Sequence, residues 1–294
     1  MNIGEIYVQL TQEDFTILKA IEKAQRRGRE YVPIDLLEKT TRIHEERLDT
    51  LLRKLRELKL VKKTQVTGVK AFSLTWLGRD MIALKELVNR GVLEAIDGKI
   101  GVGKESEIHL GLAPGNVKVA VKFLRIGRTS FRRASLVREW AVSPGHNWYK
   151  MALVAAEREY KALRELYRLK TRVPAPLGYN RHVVVIEYIK GVPLYTRPPL
   201  ENPGKVLDYI LDTLTTAYRE VGIIHGDLSE YNILVKEGDE TPFIIDWPQF
   251  VYKDHPNALE LLKRDITYVV KFFKKVYGVE RDLETVLNEL IGNS

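Results

Sequence analysis

The stretch His225-Gly226-Asp227-Leu228-Ser229-Glu230-Tyr231-Asn232 decides the fold of this 294-residue chain, and the apolar run Ile233–Val235 follows it directly. Phosphoryl transfer requires a carboxylate that orients the attacking hydroxyl or water and accepts its proton. An amide oxygen nearby can bind a metal ion without adding charge. The spacing therefore predicts Asp227 as the catalytic residue and Asn232 as a metal ligand; an aspartate that only caps a turn is the alternative.

A second carboxylate lies fourteen residues after Asn232, where Phe243-Ile244-Ile245-Asp246 places it at the end of an apolar strand. Mg²⁺ is commonly bound by one or two carboxylates together with substrate phosphates. Asp246 is therefore the predicted carboxylate ligand. The two segments together indicate a phosphoryl-transfer site.

A glycine-containing loop lies upstream between two predicted strands, over Ile100-Gly101-Val102-Gly103-Lys104-Glu105-Ser106. Glycines allow the backbone to approach phosphate groups closely. The lysine follows the second glycine too soon for a Walker A loop. We predict that Gly101, Gly103 and Lys104-Glu105-Ser106 contact the phosphates of a nucleotide.

Three further segments resemble parts of protein kinases and occur in the kinase order. Val119-Ala120-Val121-Lys122 resembles the strand whose lysine holds the α- and β-phosphates. Its expected helix partner is Glu159, with Glu157 as the second choice. Backbone groups of Glu187 and Ile189, before a Gly-Val-Pro turn, are predicted to pair with adenine.

The first part of the chain predicts a winged helix. Helices are expected near 12–27, from Val32-Pro33-Ile34 with the proline at an early helical position, and over 45–59. Strands at 60–66 and 70–75 and a helix at 77–89 should follow. The third helix exposes Glu46, Asp49 and Glu57, which would repel a nucleic-acid backbone. Basic side chains outside that face are the better candidates for phosphate contact: Arg26, Arg27, Arg29, Lys62, Lys63 and Lys70. Docking to protein or RNA and binding to a duplex remain open.

Charge and composition are consistent with these assignments. The net charge is +8, and residues 1–92, with 18 basic and 13 acidic side chains, contribute +5 of it. This excess makes a phosphate-bearing partner plausible. No cysteine is present, which excludes disulfides and Cys-ligated zinc and fits a reducing, cytoplasmic location. No apolar run reaches the ~18 residues that span a bilayer, and the first ten residues do not predict a signal peptide.

The predicted fold class is α+β. A winged-helix domain is expected over residues 1–91 and a compact bilobal protein-kinase-like domain over 92–294. Its N-lobe should cover about 92–187 and its C-lobe about 190–294. The segment 125–150 lacks any period and is expected to be a loop.

With these residues in place, the chain resembles the RIO family of atypical kinases, in its Rio-two branch, over nearly its whole length. The distinctive motifs are the winged helix and four short segments, namely Gly103–Ser106, Gly127–Phe131, His225–Asn232 and Ile245-Asp246-Trp247-Pro248-Gln249. The resemblance implies ATP with Mg²⁺ or Mn²⁺, serine autophosphorylation and a role in maturing the small ribosomal subunit with its rRNA. Ser130 would be the autophosphorylated residue, although Thr129, Ser135 and Ser143 share its segment.

Departures from ordinary protein kinases narrow the expected activity. Gly226 stands where those kinases carry the arginine of H-R-D, Trp247-Pro248 follows the metal aspartate, and only 48 residues remain after Asp246. These residues are too few to form the helical platform that holds peptide substrates in ordinary protein kinases. ATP hydrolysis coupled to ribosome assembly is therefore the favoured activity. A small-molecule phosphotransferase of the aminoglycoside- or choline-kinase type and a non-enzymatic assembly factor gated by nucleotide are the alternatives. The oligomeric state is not predicted.

Overall fold

A computed structural model describes residues 2–66, 68–103, 105–126 and 148–292. The chain forms two compact units, one of residues 1–101 with 109–117 and one of residues 102–108 with 118–294. Each unit is described by itself below. The predicted domain boundary between residues 91 and 92 stays a prediction.

The first unit contains the predicted winged helix. Its elements are α1 (Ile3–Tyr7), α2 (Gln12–Arg26), β1 (Val32–Pro33), α3 (Ile34–Thr41), α4 (Glu45–Glu57), β2 (Val61–Val66), β3 (Val69–Leu74) and α5 (Trp76–Asn89). The strands are ordered β1-β3-β2, and Val61–Val66 pairs antiparallel with Val69–Leu74 as the wing. The predicted helices and the hairpin are thus present, but the predicted start of the second helix is wrong: Val32–Pro33 forms β1, and α3 begins at Ile34.

Local sequence signals set the helix boundaries in this unit. Thr11 caps α2 by accepting from the Asp14 N–H, while the Asp14 carboxylate accepts from the Thr11 N–H, which forms a capping box. Four leucines of α4 are buried along one face, as their spacing predicts: Leu48, Leu51, Leu52 and Leu55. Apolar periodicity therefore determines which faces form the core of the winged helix.

Gly78, near the start of α5, packs directly on Leu60, which lies between α4 and β2. An added Cβ would lie 2.2 Å from the Leu60 carbonyl oxygen, far inside van der Waals contact. Glycine to alanine ordinarily stabilises a helix by about 1 kcal/mol. Here we expect the reverse for Gly78→Ala, a loss of about 1–3 kcal/mol measured by urea unfolding, because the backbone must shift.

Gly98→Ala is the matched control for this prediction. A Cβ at Gly98 would meet nothing within 4 Å, and its φ is not in the left-handed region. We expect its unfolding midpoint to stay near that of the wild type. Equal midpoints for the two variants would show that the packing at Gly78 does not constrain the domain.

Strands β4 (Ala95–Val102) and β5 (Ser106–Ala113) come next, and the boundary between the two units passes through both. The remaining elements belong to the second unit apart from the first residue of β6. They are β6 (Val117–Leu124), α6 (Trp148–Arg168), β7 (Pro176–Asn180), β8 (Val183–Glu187), β9 (Gly191–Pro193), α7 (Pro203–Thr216), β10 (Ile223–Ile224), β11 (Ile233–Lys236), β12 (Pro242–Ile244), β13 (Val251–Tyr252), α8 (Ala258–Tyr277) and α9 (Leu283–Ile291). A π-helical turn, Ala217–Val221, extends α7.

Short antiparallel pairings bring the functional segments of the second unit together. β6 pairs with β8 so that Lys122 faces Val184, and β8 pairs on its other side with β7. β11 lies between β12 and β9, with Ile233 opposite Ile244. The segments that follow Asp227 and precede Asp246 are therefore neighbours in one small sheet.

Several elements differ from the sequence prediction. The short strands β7, β9, β10 and β13 were not predicted, because two to five residues carry too little periodicity to distinguish a strand from a loop. The prediction of a loop over 125–150 is wrong for its last three residues, because α6 covers Trp148–Arg168. Residues 127–147 of that segment lie outside the described residues. No described helix has the length and apolar content needed to cross a bilayer.

Candidate active site

Lys122 is the centre of the site. Its Nζ is buried and lies 2.6 Å from Oε1 of Glu159 on α6 and 2.6 Å from Oδ1 of Asp246. Glu157, the second choice, instead pairs with Lys161 at the surface at 2.5 Å. An ammonium has three N–H donors. The two carboxylates take two of them, which leaves one that a phosphate oxygen can use.

The protonation states of this trio follow from burial and charge. Burial would lower the pKa of Lys122, but the charges and hydrogen bonds of Asp246 and Glu159 outweigh it, and its pKa lies above the ordinary value. Burial raises the pKa of Glu159 against the opposing attraction of Lys122. Among the described residues, Oε2 of Glu159 has no hydrogen-bond partner. The charged form of Glu159 thus depends on Lys122.

The catalytic loop holds Asp227 exposed between buried neighbours. The Asn232 side-chain NH₂ donates to the Asp227 carbonyl oxygen at 2.8 Å, which leaves the amide oxygen of Asn232 as an acceptor for a cation. Gly226 has φ +77°, and a Cβ there would lie 3.1 Å from the Gln249 carbonyl oxygen. Both the conformation and the space explain why an arginine is not found here.

His225 joins this loop to the segment after β12 that carries Asp246. Its Nδ1 accepts from the Asp227 N–H at 3.3 Å, which assigns the ring proton to Nε2, 3.0 Å from the Ile245 carbonyl oxygen. The His225 ring also packs on the fully buried Trp247, with ring centroids 4.7 Å apart. The two predicted carboxylates therefore belong to one connected framework.

Asp265 on α8 is a functional residue that the sequence reasoning missed. It is fully buried, and its oxygens accept from the N–H groups of Gly226 at 2.7 Å and Leu228 at 3.2 Å. Burial raises the pKa of Asp265 above its ordinary value, opposed by His225, Arg264 and the two N–H groups. A carboxylate within an otherwise apolar helix stripe is the signal that could have revealed it.

Asp265→Asn is expected to loosen the catalytic loop. One amide oxygen remains as an acceptor, but the NH₂ group would face a backbone N–H, so one buried donor loses its partner at a cost of about 1–3 kcal/mol. We expect a lower thermal midpoint and faster hydrogen exchange at the Gly226 and Leu228 amides. Unchanged exchange at both amides would contradict the anchoring role.

The other predicted site residues lie as follows. Gly103 lies between β4 and β5, and its N–H donates to the Ser106 carbonyl oxygen at 2.8 Å. The backbone carbonyl oxygen of Glu105 accepts from the backbone N–H of Arg125. The Glu187 N–H donates to the Ala175 carbonyl oxygen, so it is already engaged and leaves only the carbonyl for a base. Gly101 lies within β4, one residue before its end, and the buried Ile189 follows β8. Lys104 and Ser130 lie outside the described residues.

Lys70, one of the predicted phosphate contacts of the wing, is paired with Asp49 of α4 at 3.0 Å. Hydrogen bonding to Lys70 lowers the pKa of Asp49. The prediction that Lys70 is available for phosphate is therefore less well supported than that for Lys62 and Lys63, which are exposed. Sequence spacing could not reveal an ion pair between the wing and α4.

The residues present fit a nucleotide phosphate with Mg²⁺. Within the described part of the chain, no three His, Asp or Glu side chains group as a preformed metal cage. One carboxylate, Asp246, and one amide oxygen, Asn232, suit an ion that keeps its remaining positions for phosphate and water. A lysine–glutamate pair, a catalytic-loop Asp and Asn, and a strand-end aspartate define a protein-kinase-like phosphotransferase.

Comparison with known proteins agrees with this class. The sequence model of the RIO domain matches residues 104–286, and that of the Rio2 N-terminal domain matches residues 7–90. The RIO-type serine/threonine-protein kinase Rio2 of Methanocaldococcus jannaschii is 34% identical over 266 residues, 88% of this chain and 96% of that protein. Serine/threonine-protein kinase rio2 of Schizosaccharomyces pombe is 31% identical over 275 residues, 93% and 79% of the two chains.

A solved structure is similar as well. The Rio2 kinase–ADP/Mg²⁺–phosphoaspartate complex from Chaetomium thermophilum has a TM-score of 0.80 and 25% identity, covering 99% of this chain and 93% of that one. The chain therefore belongs to the RIO family of atypical serine/threonine protein kinases and carries a Rio2-type N-terminal domain. The predicted family, the enzyme class and the α+β fold are confirmed.

Proposed function

We propose that this kinase uses ATP with Mg²⁺ to phosphorylate itself on serine and to hydrolyse ATP during maturation of the small ribosomal subunit. The observation that carries the chemical part is the meeting of Lys122, Glu159 and Asp246 at 2.6 Å beside the loop of Asp227 and Asn232. A Mg²⁺ ion bound by Asp246 and Asn232 would neutralise phosphate charge, and Mn²⁺ can use the same ligands.

Each residue has a separate task in this proposal. Glu159 holds the Lys122 ammonium, which donates its remaining N–H to a phosphate oxygen. Asp227 orients the attacking hydroxyl or water and accepts its proton. Asp265 and His225 keep Asp227 in place through backbone bonds. Ser130 is the proposed acceptor for autophosphorylation.

ATP hydrolysis can pass through Asp246 itself. In that route an Asp246 oxygen forms a bond to the γ-phosphorus as the bond to ADP breaks, and water then releases inorganic phosphate. The C. thermophilum Rio2 kinase complex contains a phosphoaspartate, which supports this proposal. Incubation with γ-labelled ATP, followed by hydroxylamine, should release label from the protein; label resistant to hydroxylamine and confined to serine would exclude the Asp246 route.

Binding to the small-subunit precursor and its rRNA is proposed to use the winged helix. Exposed basic side chains of the first unit support it: Arg27, Arg29, Lys62 and Lys63. We expect removal of residues 1–90 to abolish binding to precursor rRNA while ATP hydrolysis stays measurable. Co-sedimentation with small-subunit precursors under ATP, ADP and no nucleotide tests the coupling. Full-strength RNA binding by residues 91–294 would reject the winged helix as the docking domain.

A further inference from the structure

Two successive residues of α6 reach two different parts of the site. Glu159 faces the interior and pairs with Lys122, which in turn holds Asp246. Arg158 lies about 100° around the helix and reaches the segment that directly follows Asp246. Helix α6 is therefore connected to Asp246 by two independent routes, and sequence reasoning and the proposed function use only the route through Glu159.

Arg158 makes three contacts with that following segment. Its Nε donates to the Pro248 carbonyl oxygen at 3.1 Å, and its Nη2 donates to the Phe250 carbonyl oxygen. The guanidinium carbon also lies 4.0 Å from the centroid of the Phe250 ring. A planar guanidinium can bond two carbonyls and stack on a ring at once, which a lysine cannot do.

The segment needs such a restraint because Asp246, the residue directly before it, has a strained backbone. Asp246 has φ +68°, in the left-handed region that non-glycine residues enter at a cost of about 1–2 kcal/mol. Such a conformation persists where the surroundings impose it. Trp247 is fixed on one side of the turn by its Nε1, which donates to the Ile244 carbonyl oxygen at 3.1 Å. Pro248 has no N–H with which to fix the turn.

We propose that Arg158 is the positioning residue that fixes the turn after Asp246 and so aims the Asp246 carboxylate at the metal ion. The inference rests on the proposed Mg²⁺-nucleotide function. Because Arg158 and Glu159 lie on the same helix, a shift of α6 would release Lys122 and the Asp246 turn together. In this proposal Arg158 acts through Asp246 and not by binding the nucleotide.

The test is binding of fluorescent ADP, followed by anisotropy with and without Mg²⁺. Arg158→Ala should bind ADP without Mg²⁺ within about twofold of wild type, because Lys122 keeps its bond to Glu159. The gain in affinity that Mg²⁺ gives the wild type should fall by about tenfold, since a freed turn no longer presents Asp246. Arg158→Lys should recover part of this gain, because one carbonyl bond can form without the fork.

Arg164→Ala is the matched control. Arg164 lies on the same helix, is exposed and pairs with its neighbour Glu165 at 3.1 Å. Its contacts in the described structure do not include the turn after Asp246. It should keep the whole Mg²⁺ gain. A folded Arg158→Ala variant with the same gain as Arg164→Ala overturns the inference.

Two further outcomes are separable. If Arg158→Ala does not fold, Arg158→Lys is compared with Arg164→Lys, and equal Mg²⁺ gains again overturn the inference. If the wild type shows no Mg²⁺ gain, the proposed function fails and the inference falls with it. A wild-type gain that is lost only in the Arg158 variants supports both.

Discussion

Asp227→Ala is expected to slow ATP turnover by roughly 10²–10⁴-fold, the scale of a lost acid–base group. The loop should survive, because the variant keeps the two hydrogen bonds that the backbone of residue 227 makes. The Asp227 N–H donates to His225, and the Asp227 carbonyl accepts from Asn232. Nucleotide affinity should therefore stay near that of the wild type, and single-turnover kinetics should locate the defect in the chemical step.

The control for this variant is Asp239→Ala. Asp239 is an exposed turn residue whose pKa is lowered to about 2 by hydrogen bonds from Lys236 and Thr241. It has no contact with the predicted site residues in the described structure. Its loss should leave turnover unchanged. An Asp227→Ala variant that hydrolyses ATP at the control's rate would remove Asp227 from the mechanism.

Lys122→Met is expected to destabilise the protein by about 3 kcal/mol as well as to abolish phosphate binding, because removal of one partner leaves a buried charge uncompensated. Glu159 has almost no solvent contact, and Lys122 supplies its hydrogen bond. Methionine fills a similar volume, so the loss is mainly electrostatic. Calorimetry should show a clearly lower unfolding temperature at pH 7.

The pH dependence of this loss has a definite sign. Burial already raises the pKa of Glu159, and removal of Lys122 raises it further. A carboxyl whose folded pKa exceeds the unfolded value of ~4.3 binds its proton more tightly when folded. The folded variant is therefore favoured at low pH and weakens as pH rises from about 4.3 through the raised pKa of Glu159. The stability difference from wild type should narrow as pH falls toward 4.5.

Lys263→Met is the matched control for this prediction. Lys263 pairs with Glu284 at 2.8 Å, but both side chains are exposed, and such pairs contribute about 1 kcal/mol or less. Its unfolding temperature should change little and show no special dependence on acid pH. A difference for Lys122→Met that is the same at pH 4.5 and pH 7 would contradict a charged, buried Glu159.

The order of the site residues along the chain could be predicted, because each of them lies in a short motif beside an element with a clear apolar pattern. The leucine stripe of α4 predicts a helix from sequence alone. Strands such as β9 and β13 could not be predicted, because two or three residues are stabilised by their partners rather than by their own pattern. The start of α6 at Trp148 was not predicted either.

Sequence by itself determined the α+β class and the kinase order of Lys122, Asp227, Asn232 and Asp246, because these depend on residue type and spacing along the chain. Tertiary structure alone decided that Glu159 rather than Glu157 meets Lys122, that Asp265 anchors Gly226 and Leu228, and that Arg158 grips the turn after Asp246. These contacts join residues 37 to 92 positions apart. No local period encodes such distances, so only the packing of the folded chain selects the partners.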